Sequence, residues 1–260
     1  MQNTTIKQSV NKELLYKRFS SAAKTYDTHA IVQKHMAEVL VNMTQKHIPE
    51  NQTNMMELGC GTGLLTNQIT RKYTAEHYWA NDLVGEMEPN IKQIVESNSN
   101  AKLAFLQGDA QTVSPPATQD VFWSGATIQW IEDLDSFFAR ISTLLNAQGY
   151  FALSSFDVDN FMEIKTITGK GIDYKSIKDV LVSASNHFKI LDYKSWHQKM
   201  WFNHPTDVLK HMRYTGVNAV SSTKWGKKDL LDFCNDYKMF CSNNKYPLTY
   251  NPFVLILQKK

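Results

Sequence analysis

A glycine-rich turn between a short apolar strand and a helix constrains this 260-residue chain most strongly. The run Met55–Leu58 predicts a buried strand, and Gly59-Cys60-Gly61-Thr62-Gly63 predicts a tight turn into a helix over about 64–72. Glycines at such a turn adopt positive φ and let a ligand approach the backbone. The spacing is not the G-x-G-x-x-G of a pyrophosphate site, because Leu64 stands where the third glycine belongs. An acidic residue, Glu57, precedes the turn.

Strand and helix patterns then alternate as far as Phe156. This alternation predicts an α/β fold with a doubly wound, mostly parallel sheet and right-handed crossovers. Ligands of such sheets bind at the carboxyl ends of the strands. The predicted strands are 77–80, 103–106, 120–123 and 150–156, and the predicted helices are 27–47, 85–97 and the segment that follows Asp133.

The pattern beyond Phe156 is less regular. Two helices, at about 158–168 and 176–186, are expected to cap the edge of the sheet as an insertion. An extended segment over 189–202 and a strand over 249–257 that closes the sheet are also expected. Helices are predicted from Pro205 to Gly216 and over about 227–240.

The string Glu57-Leu58-Gly59-Cys60-Gly61-Thr62-Gly63 resembles the first motif of class I S-adenosylmethionine (SAM)-dependent methyltransferases. In that family the glycines pass beneath the methionine part of SAM. SAM carries an ammonium group and no phosphate, so a carboxylate upstream of the turn suits it better than it suits a pyrophosphate. The alternative is an ordinary glycine-rich turn.

Two further acids follow predicted strands. Asp82 ends the second strand, next to Leu83, where its carboxylate can accept hydrogen bonds from both ribose hydroxyls. Asp109 follows the third strand, where it can accept from an adenine amino group while the backbone N–H of Ala110 meets a ring nitrogen. A helix N-cap is the alternative for Asp82, and a plain turn residue is the alternative for Asp109. Ser124, at the end of the fourth strand, completes the predicted cofactor site.

Nearly the whole chain is similar to the malonyl-[acyl-carrier protein] O-methyltransferases of biotin synthesis. The strings that carry this resemblance are FSSAAKTYD at 19–27, WSGATIQW at 123–130, LKHMRYTGVNA at 209–219 and, most specifically, KYPLTY at 245–250. The resemblance implies one domain over 1–260 with a seven-stranded sheet, a helical N-terminal cap over 12–50 and an inserted lid over 157–200. Gly125 stands where the family often has Asn, and 157–200 matches the family poorly.

The resemblance implies methyl transfer from SAM to the free carboxylate of a malonyl thioester. S-adenosylhomocysteine (SAH) and the methyl ester that primes pimeloyl and biotin synthesis would be the products. Acyl carrier protein is the expected carrier, and the sequence leaves open whether coenzyme A also serves. Because a carboxylate is already ionised near pH 7, the reaction needs no general base.

Four residues are candidates for the acceptor end of the site. Arg213 or Lys210, which lie i, i+3 on one helix face, could hold the second carboxylate oxygen, and Arg matches a carboxylate better. Their alternative role is as surface cations that meet an acidic carrier protein. Tyr26 and Trp130, together with Tyr16, could wall the methyl group, although isolated aromatic residues are more often part of a core.

The distribution of charge suggests where a partner binds. Residues 1–160 carry 12 basic and 17 acidic side chains, whereas residues 161–260 carry 16 basic and 8 acidic ones. A basic surface attracts acidic carrier protein and raises the encounter rate. A solvated lysine surface is the alternative. The expected docking residues are Lys210, Arg213, Lys224, Lys227, Lys228 and Lys245.

Other features favour a cytoplasmic protein, which we expect to be a monomer although the sequence does not give the oligomeric state. The three cysteines form no CxxC pair, the N-terminal residues resemble no signal peptide, and no apolar run has the length of a membrane span. No nucleic-acid motif and no histidine or cysteine spacing typical of metal sites is present, so neither nucleic acid, nor membrane, nor metal is expected.

Three other functions remain open from the residues alone. The same scaffold could methylate another small carboxylic acid or small molecule, because a fold does not fix a substrate. An NAD-dependent oxidoreductase is disfavoured by the missing third glycine. A non-catalytic protein that has kept a SAM fold is the third alternative.

Overall fold

The computed structural model describes residues 11–216 and 225–260. Its first half alternates strands and helices as predicted. Two helices come first, α1 (Lys12–His29) and α2 (Ile31–Thr44), where the sequence predicted a single helix over 27–47. The alternating elements are β1 (Asn51–Leu58), α3 (Leu64–Thr70), β2 (Thr74–Asp82), α4 (Glu88–Asn98), β3 (Lys102–Gln107), β4 (Gln119–Gly125), α5 (Leu134–Leu144) and β5 (Leu145–Phe156).

The second half of the described chain adds helices and four strands. These elements are α6 (Met162–Thr168), α7 (Ile177–Ser185), β6 (Phe188–Ser195), β7 (Gln198–Phe202), α8 (Pro205–Tyr214), α9 (Lys227–Asp236), β8 (Tyr246–Tyr250) and β9 (Pro252–Lys259). A short 3-10 helix, Tyr237–Phe240, continues α9. No helix within the described residues is both long and apolar enough to cross a membrane.

Seven strands form the main sheet in the order β3-β2-β1-β4-β5-β9-β6. Strands β1 to β5 are parallel, and β9 runs antiparallel to both β5 and β6. The predicted doubly wound α/β fold is therefore confirmed. The strand order reverses between β1 and β4, so the carboxyl ends of these two strands border the crevice in which such folds bind ligands.

Apolar side chains cover both faces of the sheet. On one face, α5 and α7 contribute Phe137, Phe138 and Val180 to a core with β4, β5 and β9. On the other face, residues of α2, α3 and α4, including Leu40, Ile69 and Ile91, pack on β1 and β2. Burial on both faces explains why the central strands are short apolar runs rather than alternating patterns.

The end of the chain differs from the prediction. One closing strand was expected over 249–257, but the chain breaks at Asn251 into β8 and β9, which belong to different sheets. Strand β8 pairs with β7 in a separate two-stranded sheet. The break is held by a long-range contact, in which the Asn251 backbone N–H donates to Asn160 Oδ1 at 3.0 Å.

The segment expected to be an insertion, 157–200, is not one unit. Helices α6 and α7 fall within it, but β6 forms an edge of the main sheet. The extended prediction over 189–202 likewise covers β6 and β7, which lie in different sheets. Because β6 completes the sheet, only the remainder of 157–200 is available to act as a lid.

Candidate cofactor and acceptor site

The glycine turn after β1 forms the floor of a cavity at the carboxyl ends of the strands. Gly59, Gly61 and Gly63 have φ values of +70°, +51° and +90°. A Cβ on Gly59 would lie 2.2 Å from the Thr127 hydroxyl oxygen, whereas a Cβ on Gly61 would meet no atom within 4 Å. Gly61 therefore leaves open space on the cavity side of the turn.

Gly63 has a structural role in the packing of two helices. It is not among the described residues that line the cavity. A Cβ at this position would lie 2.4 Å from Ile94 Cδ1 and 3.1 Å from Ile91 Cδ1. Its lack of a side chain thus allows α3 to pack against α4, and the predicted contact of Gly63 with the cofactor stays a prediction.

Asp82 ties the end of β2 to the glycine turn. Its Oδ2 accepts from the Gly61 backbone N–H at 2.8 Å, and its Oδ1 accepts from the Val84 N–H at 2.8 Å. Burial raises the pKa of the carboxyl, while the backbone hydrogen bonds oppose the rise. The side chain and its neighbour Leu83 line the cavity, in accordance with the predicted positions.

Glu57 has a buried carboxyl group of which only one oxygen accepts hydrogen bonds from the described residues. Its Oε2 accepts from Thr66 Oγ1 at 2.7 Å and from the Tyr78 hydroxyl at 2.6 Å. Its Oε1 is buried and has no hydrogen-bond partner among the described residues. Burial raises the pKa of Glu57 to about 7. A cationic group in the cavity would supply the missing partner and favour the ionised form.

Asp109 lies at the far end of the cavity, beyond β3. Its Oδ1 accepts from the Gln111 N–H at 2.9 Å, and its Oδ2 forms an ion pair with Lys12 of α1. Partial burial raises the pKa of Asp109, but the hydrogen bonds from Lys12 and Gln111 outweigh it and lower the pKa overall. Ala110 also lines the cavity.

Ser124 holds the sheet together rather than facing the cavity. It is fully buried, and its Oγ donates to the Leu58 carbonyl at 3.2 Å, which joins β4 to β1. Ser124 is not among the described residues that line the cavity, so its contact with the cofactor stays a prediction. The next residues, Gly125, Ala126 and Thr127, line the cavity in its place.

Trp130 lies in a loop after β4 that hydrogen bonds hold in place. Ala126 adopts φ +51°, which is unusual for a residue with a side chain and typical of functional sites. Gln129 Nε2 donates to the Ala126 carbonyl, and Ser155 Oγ donates to Gln129 Oε1 at 2.9 Å. These bonds fix a short 3-10 helix, Ile128–Trp130. The side chain of Trp130 lines the cavity.

Helix α1 covers the cavity with one face. The side chains at spacings of three and four residues, Lys12, Leu15, Phe19, Ala23 and Tyr26, all line it. Burial raises the pKa of the Tyr26 hydroxyl, with smaller effects of Asp27 and Asp82 in the same direction. Tyr26 thus belongs to the wall of the cavity, and its role at the methyl group stays a prediction.

The predicted carboxylate clamps are not in the cavity. Lys210 and Arg213 are exposed on α8, and neither lines the cavity. Lys210 Nζ instead contacts Asp207 Oδ1 at 3.1 Å. The i, i+3 spacing correctly placed both cations on one helix, but the helix turns its buried face, with Val208 and His211, towards the interior.

Sequence reasoning missed Gln33. It lies on the buried face of α2, one turn before Ala37, and both residues line the cavity. The signal was present, because Gln33 is a polar residue beside the apolar stripe that begins with Val32 and Met36. A stripe of this kind predicts a core-facing helix but does not show which polar neighbour faces a cavity.

Within the described residues, no group of three or more His, Cys, Asp or Glu side chains could hold a metal ion. Cys60 lines the cavity, but burial raises the pKa of its thiol well above the usual value. A thiol held in its protonated form is a poor nucleophile.

Comparisons with known proteins agree with this geometry. A model of the methyltransferase domain matches residues 56–153. The N-methyltransferase NodS from Bradyrhizobium japonicum, solved in complex with SAH, is 8% identical with a TM-score of 0.61, covering 94% of this chain and 98% of that one. At this identity the likeness shows the fold alone.

The similar proteins include several with the name malonyl-[acyl-carrier protein] O-methyltransferase, of which two are described. The one from Bacteroides thetaiotaomicron is 35% identical, and the alignment covers 96% of this chain and 99% of the relative. The one from Chlorobium phaeovibrioides is 34% identical, covering 96% of this chain and 97% of the relative. Because the identity extends over almost the full length of both partners, this chain belongs to the malonyl-[acyl-carrier protein] O-methyltransferase family.

Proposed function

We propose that this protein methylates the free carboxylate of a malonyl thioester on acyl carrier protein, with SAM as the methyl donor. The observation that carries the proposal is that the likeness to relatives of that name covers 96% of the chain. It therefore includes α1, α2 and the elements after β5, and not only the domain over 56–153. Helices α1 and α2 contribute walls of the cavity, so the substrate-facing parts share the likeness.

The acidic side chains at the ends of β1, β2 and β3 match the methionine, ribose and adenine parts of SAM, in that order. The unpartnered oxygen of Glu57 suits the ammonium of the methionine part. Asp82 can accept from the ribose hydroxyls, since each of its oxygens keeps a free lone pair beyond one backbone N–H. Asp109 can accept from the adenine amino group once Lys12 moves away. Bound SAM supplies an electrophilic methyl group on a positively charged sulfur.

The remaining catalytic task is positioning. A malonyl carboxylate is ionised at neutral pH, so no side chain has to remove a proton. The walls formed by Tyr26 and Trp130 would hold the attacking oxygen in line with the methyl group. Helix α1 lies over the cavity and would exclude water from the reacting carboxylate.

An acidic carrier protein would dock on the basic side of the molecule. Lys210, Arg213, Lys227, Lys228 and Lys245 are exposed, whereas Lys224 lies outside the described residues. Exposed cations of this kind would act chiefly on the encounter rate and the salt dependence of binding. We also propose that residues 12–50 cap the site and that the parts of 157–200 outside β6 act as a lid.

Mass spectrometry of malonyl acyl carrier protein incubated with this protein and SAM tests the proposal. The expected result is a gain of one methyl group that mild ester hydrolysis removes. The Asp82→Ala variant should give no gain, because it loses the hydrogen bonds to the glycine turn and to the ribose. A parallel reaction with malonyl-coenzyme A decides between the carriers. SAH binding without methylation of either thioester would leave the fold and the cofactor but reject this substrate.

A further inference from the structure

One polar side chain in the wall of the cavity has no assigned role. Gln33 is 8% exposed, lines the cavity, and has a buried Oε1 without a hydrogen-bond partner among the described residues. An unpaired buried amide is unfavourable, so such a group points to a ligand. Rotation about the last side-chain torsion exchanges the amide oxygen and nitrogen, which allows Gln33 to act as a donor to an anion.

The indole of Trp130 provides a second unsatisfied group. Its Nε1 is buried and lacks a hydrogen-bond partner in the part of the chain that the structure describes. An indole N–H can only donate, so its natural partner is an acceptor. The ring packs edge-on against Phe19, with the ring centroids 6.0 Å apart, and the hydrogen bonds of Gln129 fix the loop that carries it. The indole is therefore held in place before any ligand arrives.

A ligand carboxylate bound beside Gln33 and Trp130 would find no cationic side chain among the described residues in this part of the cavity wall. Among the described residues that line the cavity, Lys12 is the one cation, and it pairs with Asp109 beyond β3. Gln33 and Trp130 are carried by elements that contact β5, namely α2 and the 3-10 helix that ends at Trp130. An anion bound there would be held by neutral donors.

We propose that the side-chain amide of Gln33 and the indole N–H of Trp130 bind the carboxylate of the methyl acceptor. This inference rests on the proposed function and names the groups that recognise its substrate. Neutral donors orient one oxygen without neutralising the carboxylate, which leaves the other oxygen nucleophilic. Hydrogen bonds to a charged carboxylate are stronger than those to a neutral ester, so the methylated product would be held less tightly and released.

Binding to the SAH-loaded protein, measured by calorimetry, tests this inference apart from turnover. The probes are malonyl-pantetheine and its neutral analogue, in which a primary amide replaces the carboxylate. The variants are Gln33→Leu, Gln33→Glu and Trp130→Phe, with Gln45→Leu as the matched control at the exposed end of α2. Urea unfolding of each variant shows whether it is folded.

Gln33→Leu and Trp130→Phe are each expected to weaken malonyl-pantetheine binding by about 10- to 100-fold, the usual effect of losing a hydrogen bond to a charged group. SAH affinity should stay within about twofold of the wild-type value, on the same scale. Gln33→Glu should weaken binding of malonyl-pantetheine at least as much as Gln33→Leu does, because two carboxylates repel each other. The same variant should bind the amide analogue nearly as well as the wild type does. A purely structural role of Gln33 would not produce this difference between probes.

Two results would overturn the inference. Unchanged binding of the malonyl probe in all three variants would show that other groups hold the carboxylate. A loss of SAH affinity as large as the loss of malonyl affinity would assign these donors to the carboxylate of the cofactor's methionine part. Failure of the proposed function is distinguishable, because the wild-type protein would then bind SAH but neither bind malonyl-pantetheine nor methylate malonyl acyl carrier protein, and the inference would fail with it.

Discussion

Gly61 could be a glycine for two reasons: its positive φ, or the space that a side chain would take from a ligand. A comparison with Gly169 separates the two reasons. Gly61 and Gly169 have φ values of +51° and +62°, and a Cβ on either would meet no atom within 4 Å. Only Gly61 lines the cavity, whereas Gly169 ends α6. The open space beside Gly61 is therefore a place for a ligand.

We expect Gly61→Ala and Gly169→Ala to lower the free energy of unfolding by a similar amount, about 1–2 kcal/mol, the cost of a left-handed conformation for a residue with a Cβ. Only Gly61→Ala should weaken SAH binding, by at least about tenfold, because its methyl group occupies ligand space. Urea unfolding and calorimetry measure the two effects. Equal SAH affinities of the two variants would contradict the assignment of this space to the cofactor.

The sequence brought three acidic residues to one cavity because a strand end fixes the position of each. Glu57, Asp82 and Asp109 each lie at or just after the end of a parallel strand, and all three line the cavity. Ser124 and Gly63 do not line it, because strand position does not tell which way a side chain points or which helix packs over a turn. Such facts depend on tertiary contacts.

Helix α1 is the element that covers the cavity. Two contacts tie its first turns to the sheet side of the site: the ion pair of Lys12 with Asp109, and the hydrogen bond from the Tyr16 hydroxyl to Glu86 Oε1 at 2.6 Å. Lys12 pairs with Asp109, the carboxylate that we propose accepts a hydrogen bond from the adenine amino group. We therefore expect the cofactor to compete with Lys12 for this carboxylate.

We expect Lys12→Ala to bind SAH about two- to fivefold more tightly than the wild type, since a partly exposed ion pair contributes about 0.2–1 kcal/mol. Screening by salt should reduce the difference. The matched control is Lys17→Ala, because Lys17 pairs with Glu13 on α1 and does not line the cavity. Calorimetry at low and high salt measures the effect, and weaker SAH binding by Lys12→Ala would show that Lys12 assists the ligand rather than competing with it.

Elements with a strong local pattern were predicted, and elements defined by distant contacts were not. Helix α5 has an acidic N-cap, Asp133, and an apolar face, so its start could be read from the sequence. Its end at Leu144 was not predicted, because β5 begins directly at Leu145 rather than at Tyr150. The division of the C-terminal strand at Asn251 was missed although Asn251-Pro252 is a local turn signal. Asn251 also donates its backbone N–H to Asn160, a contact over 91 positions that the sequence does not reveal. The pairing of β8 with β7 follows from that division.

Glu57 links the chemistry of the site to the stability of the whole molecule. Its carboxyl is fully buried at the centre of the sheet, and burial raises its pKa from 4.5 to about 7. Between these pH values the folded protein holds a proton that the unfolded chain has released. The contribution of Glu57 is therefore fully present below pH 4.5 and is lost as the pH rises towards 7.

The ligand-free protein should accordingly lose up to about 3 kcal/mol of unfolding free energy through Glu57 between pH 5 and pH 8, at 1.36 kcal/mol for each pKa unit. Glu57→Gln removes this titration, so its urea midpoint should vary less with pH than that of the wild type, whereas Glu88→Gln, at an exposed position on α4, should vary like the wild type. Saturating SAH should oppose the loss, because its ammonium favours the ionised carboxylate and stabilises the folded protein more at pH 8 than at pH 6. Identical pH profiles of wild type and Glu57→Gln would show that Glu57 stays ionised in the ligand-free fold, and its unpartnered oxygen would then already be satisfied by water.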